Sequence, residues 1–154
     1  MKTKCVFPQI SLEEFQQVWK DLKENKQAPD ERWQCMAKVI EAHPEFVPIL
    51  EGKEATLSED APDPFLHLTL HMVVEELLKK NEPAEVNQFY SIQKARGLSH
   101  HEIVHMLGAI LTAQLWLIFS EKRYDFELYK QMLKEYANYS SDVFWKKIQE
   151  EDSA

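Results

Sequence analysis

A chain of 154 residues can enclose one domain with a real hydrophobic core but is too short for two of ordinary size. Its 26 acidic against 18 basic residues leave a net charge of -8 with no basic stripe for a phosphate backbone, which argues against nucleic acid as a partner. Only three glycines, with abundant Leu, Glu, Lys, Gln and Ala, argue against a strand-rich design and for an all-α fold.

From the N-terminus, Met1 to Ile10 carries lysines but no long apolar run or small-residue cleavage site, so no export signal is expected. Ser11 with Glu14 forms a capping box. Leu12, Phe15, Trp19 and Leu22 then recur on one face, predicting a helix to about Asn25. A second helix is expected from Asp30, with Trp33, Met36, Ala37 and Ile40 inward, ending near His43 because Pro44 lacks an amide proton. Cys5 and Cys35 make neither a disulfide framework nor a Cys-x-x-Cys pair, which suits a reducing cytoplasm. Pro48, Gly52 and the acidic stretch Ser58 to Asp63 read as a loop, centred on 51–63.

Asp63-Pro64 predicts a helix start, with Asp as N-cap and Pro first in the helix, and the pattern runs to about Lys80. Pro83 reopens a shorter helix with Val86, Phe89, Tyr90 and Ile92 as its apolar positions, closed by Gly97. Ser99 caps the most apolar segment, Ile103 to Phe119. It is short for a bilayer and is interrupted by His105, Thr112 and Gln114, so it reads as a buried central helix with no membrane role. Phe126, Tyr129, Leu133 and Tyr136 mark another amphipathic helix, and Ser140-Ser141-Asp142 starts a short last one, with fraying after about Gln149. The expectation is one domain over residues 1–154, an irregular bundle of five to seven helices.

Five of the six histidines lie between positions 67 and 105. His67 and His71 are four apart, as are His101 and His105, so each pair presents two imidazoles from adjacent turns of one helix face. Glu75 continues the first series, drifting only about 40° around the helix per four-residue step, so it is expected as a fifth ligand. If the helix after Pro83 runs back antiparallel, the helices bearing the pairs start at the same end. The predicted donor set is then His67, His71, Glu75, His101 and His105, around one metal ion or two, with room for a small-molecule ligand.

Imidazoles with one carboxylate suit a divalent transition metal, zinc or iron first, then manganese or nickel. Metal-assisted hydrolysis and redox chemistry are the matching reaction classes, with Glu102 or Glu76 as proton acceptor. The alternative from another class is a noncatalytic interaction protein with a structural or pH-sensitive histidine core, its apolar central helix supporting homodimerisation. His101-Glu102-x-x-His105 also satisfies the zinc-peptidase pattern. However, Ser99-x-x-Glu102 is equally a capping box, and no strand is in sight to align a peptide. His43, at a helix end, and His100, beside Ser99, read as structural and solvent-facing respectively.

Together, His43-Pro44-Glu45-Phe46, Asp63-Pro64-Phe65-Leu66-His67-Leu68-Thr69-Leu70-His71 with Glu75-Glu76, His101-Glu102-x-x-His105 and Leu115-Trp116 resemble an uncharacterised bacterial family, domain-of-unknown-function family eighteen forty-one. The resemblance covers most of the chain and implies an all-helical bacterial cytoplasmic protein with His67, His71, Glu75, His101 and His105 as shared polar positions. It implies no particular activity. Relatives place acidic residues further along the second motif helix, where this chain has Ala109 and Ala113, which weakens a carboxylate-bridged dinuclear reading.

Overall fold

The computed structural model describes residues 10–53, 64–121 and 126–153. Among them it is all-helical, with eight α-helices: α1 (Leu12–Lys23), α2 (Glu31–Glu41), α3 (Val47–Leu50), α4 (Pro64–Lys80), α5 (Ala84–Ala95), α6 (His100–Glu121), α7 (Phe126–Tyr136) and α8 (Ser141–Ser153). Eight exceeds the five to seven expected. The addition is α3, a single turn that follows directly on a 3-10 turn at Pro44–Phe46. Pro44 and Pro48 each sit in the first turn of their element, where a missing amide proton costs nothing, so Pro44, which stops α2, also opens the next turn, and Pro48, which read as a loop marker, lies in a helical one. The predicted N-cap Asp63 and the acidic loop lie outside the described residues, but α4 does start at Pro64. None of these helices is long and apolar enough to cross a membrane.

The chain divides into two compact units, Met1–Val73 and Val74–Ala154. In the first, the expected caps form: Ser11 Oγ accepts from the Glu14 amide at 3.2 Å, and Asp30 Oδ1 from that of Trp33 at 2.8 Å. Each satisfies an amide that the start of a helix leaves unpaired. The apolar faces of α1 and α2 then close on each other through Phe15, Val18, Met36, Ala37 and Ile40, joined by Phe46, Leu50, Leu68 and Met72. Trp33, expected inward, is half-buried and donates its indole N–H to Asp21 at 3.3 Å. Gln16 donates to the Ile49 carbonyl at 3.1 Å, which secures α3 beside α1.

In the second unit, α5 ends as Gly97 predicts. Gly97 takes a φ of +91°, a region open to glycine without strain, and the Leu98 amide reaches back to the Gln93 carbonyl at 3.3 Å. One expected core position is wrong: Ile92 is 39% exposed, and the buried residue of that turn is Gln93, at 0%. The reason is polar. The Gln93 amide donates to the Ala137 carbonyl at 3.3 Å, and the Arg96 guanidinium donates to the carbonyls of Ala137 at 2.9 Å and Asn138 at 3.1 Å. These carbonyls lie in the turn after α7, so Gln93 is buried where its amide, with the neighbouring guanidinium, can supply them with donors. In α6, Ile103, Val104, Met106, Leu107, Ile110 and Leu111 are all buried, which accounts for its apolarity on more than one face. Helical backbone in α8 continues to Ser153, past the expected fraying point, since Gln149 to Ser153 contains neither Gly nor Pro.

Candidate metal centre

The centre begins where α2 stops. Pro44 disfavours helical backbone at the residue before it, and the His43 amide bonds the Ile40 carbonyl at 3.0 Å, not that of Val39. The Val39 carbonyl is then capped by the His43 ring, whose Nδ1 lies 2.7 Å away. A carbonyl only accepts, so Nδ1 carries the hydrogen, and in the neutral ring Nε2 holds the lone pair. Phe46 stacks on this imidazole, with ring centroids 5.5 Å apart and planes 8° from parallel, fixing its tilt.

The His43 Nε2 lies 3.0 Å from Nε2 of His67, and the His67 Nε2 in turn lies 3.2 Å from Nε2 of His71. His67 and His71 occupy successive turns of α4, as their spacing predicts. His43 is 1% and His71 6% exposed, while His67 is half-buried. A single ring nitrogen either donates one hydrogen or accepts one, so between neutral rings only one of these two short contacts can be an ordinary hydrogen bond. A cation at the convergence point removes that shortfall, because all three lone pairs can then point at it. The spacing agrees. With metal–nitrogen bonds of 2.0–2.1 Å, two donors lie about 3.3 Å apart at the tetrahedral angle and about 2.9 Å apart at a right angle.

The other sequence-predicted residues are placed as follows. Glu75 Oε1 is bonded to Nε2 of His100, whose Nδ1 lies 2.8 Å from the Tyr90 hydroxyl, so the carboxylate expected as a fifth ligand belongs to a Glu-His-Tyr chain linking α4, α6 and α5. Glu76 pairs with Lys80 at 2.9 Å on an exposed helix face. His101 and His105 stand one turn apart on α6, both half-buried, with ring centroids 4.2 Å apart. His43, which sequence reasoning set aside as structural, is the third imidazole of this cluster. Its capping role is real, and that same bond fixes the tautomer a ligand needs. The available signal was its place in the His43-Pro44-Glu45-Phe46 motif.

Glu102 is part of a closed capping box: the Ser99 amide donates to its Oε2 at 2.8 Å, and its own amide donates to Ser99 Oγ at 3.2 Å. The Ser99 amide, and after it the Ser99 hydroxyl, hold this carboxyl below the usual glutamate range, which makes it a poorer proton acceptor. A depressed folded-state value means that the contribution is complete above the ordinary glutamate range and is lost as pH falls through the lowered value. Ser99→Ala, which removes the hydroxyl from this box, is expected to lower stability at neutral pH, with a smaller difference from the parent in acid, measured by urea unfolding at both pH values.

The family described as Domain of unknown function (DUF1841) has a model that matches residues 11–135. The chain belongs to the DUF1841 family. The match spans α1 through nearly all of α7 and includes the three converging histidines of this DUF1841 chain. No curated protein and no solved structure matches it.

Proposed function

We propose that this chain is a transition-metal protein whose ion, zinc or ferrous iron in the first instance, is bound by Nε2 of His43, His67 and His71. The observation that carries the reading is the convergence of three imidazole nitrogens on one point, with His67 at 3.0 and 3.2 Å from the other two. Neutral imidazole is a borderline donor that suits zinc and iron better than magnesium or calcium, and manganese and nickel remain within its range. The bound ion supplies Lewis-acid or redox chemistry at this centre, consistent with a hydrolase or an oxidoreductase.

The deciding experiment is elemental analysis of untagged protein, followed by dialysis against Zn(II), Fe(II), Mn(II) and Ni(II). The expected result is about one ion per chain, with His67→Ala retaining none. A second reading, an unmetallated histidine core that responds to pH, is favoured by the Nδ1 bond of His43 to Val39, which needs no ion. It predicts no retained metal in either the parent or the variants.

A further inference from the structure

We infer that the Tyr90 hydroxyl is a base-assisted nucleophile, a reactive site separate from the histidine cluster of the first unit, and that it takes up an acyl group from a neutral activated ester.

The residues concerned, Glu75 of α4, Tyr90 of α5 and His100 of α6, all belong to the second unit. Glu75 Oε1 is hydrogen-bonded to Nε2 of His100, and Nδ1 of the same ring lies 2.8 Å from the Tyr90 hydroxyl. A carboxylate only accepts, so Nε2 carries the ring hydrogen, and in the neutral ring Nδ1 holds the lone pair. The hydroxyl therefore donates to Nδ1. An acid that fixes the tautomer, an imidazole that accepts and a hydroxyl that gives up its proton are the parts that nucleophilic catalysis requires, in that order.

Tyr139, in the same unit, supplies the contrast. Like Tyr90 it is half-buried, but its hydroxyl donates directly to Glu135 at 2.8 Å. That bond, with partial desolvation and the carboxylate charge, holds the phenol above its usual range, so less of it is available as the reactive phenolate. At Tyr90 an imidazole stands between phenol and carboxylate and has a place for the proton.

Charge and chemistry select the class of electrophile. The Tyr90 oxygen forms a bond to the acyl carbon, its proton passes to Nδ1 of His100, and the bond to the leaving group breaks with the electron pair departing on that group. The imidazolium then returns the proton to the leaving group or to water. Phosphoryl transfer relies instead on cations clamped to the phosphate, which a Glu-His-Tyr chain does not itself provide. A net charge of -8, with a carboxylate in the chain of three, also favours an uncharged donor. His100 is exposed and Tyr90 half-buried, so such a donor has access from solvent.

The test treats the full chain with p-nitrophenyl acetate in mildly alkaline buffer, which favours neutral imidazole, and follows acetylation of each tyrosine by peptide mass spectrometry. Tyr90 is expected to react at least about tenfold faster than Tyr139. His100→Gln should bring Tyr90 down to the Tyr139 rate, and Glu75→Gln should slow it by a smaller factor, with circular dichroism verifying that both variants keep the parent's helix content. The direction is decisive, because a ring that merely shields Tyr90 would, on removal, uncover the phenol and speed its reaction. Equal rates at the two tyrosines in the parent, an unchanged or faster Tyr90 in either variant, or acetyl retained on His100 in place of Tyr90 overturn the proposal.

Discussion

Zinc is expected to raise the unfolding temperature of the parent chain, and the rise should vanish in His67→Ala. A ligand that binds only the folded state stabilises it by an amount set by the ratio of free ligand to dissociation constant, about 4 kcal/mol at a thousandfold excess. For a chain of 154 residues this corresponds to a shift of roughly 10 °C. His67 is the residue to remove because its Nε2 makes both short contacts, with His43 and with His71. In metal-free protein the same substitution should do much less, since it also removes nitrogen–nitrogen contacts that neutral rings satisfy poorly. Differential scanning calorimetry of both proteins, with and without Zn(II), decides the matter. Identical traces for the parent with Zn, Fe, Mn or Ni and with a chelator would reject the site.

Truncating Phe144 to alanine should cost about 3–5 kcal/mol, the largest loss expected from one side chain in the second unit. Phe144 is fully buried on α8, with its ring 6.0 Å from Phe89 of α5 and 5.7 Å from Tyr136 of α7, both edge-on. Such edge contacts add to the apolar burial, so removing the ring leaves a cavity and also takes away a favourable aromatic geometry. Guanidinium unfolding followed by circular dichroism measures the loss. A cost below about 1 kcal/mol would mean that this aromatic cluster is not packed as described.

Much of this protein was legible because its signals are local. Ser11, Asp30 and Ser99 cap their helices through bonds that span three residues, and Gly97 ends α5 by adopting a conformation that its missing Cβ permits. The pairing of His67 with His71, and of His101 with His105, follows from the pitch of a helix in the same way.

What sequence could not decide is which partner a side chain finds across the fold. Ile92 read as a core position of α5, but the turn after α7 presents a carbonyl to the Gln93 amide, so Gln93 is buried and Ile92 is exposed. Glu75 continued the histidine series along α4, but its carboxylate went to His100, itself held by Tyr90 from α5. His43 read as a helix-end residue, and locally it is one.

The chain's own order thus determined an all-helical protein and two pairs of imidazoles on adjacent helical turns, since helix pitch and capping are settled within a few residues. The third nitrogen at the centre was decided by tertiary structure alone. Packing of the segment after α2 against α4 brings His43 to His67 from 24 positions away, and no periodicity encodes a meeting at that range.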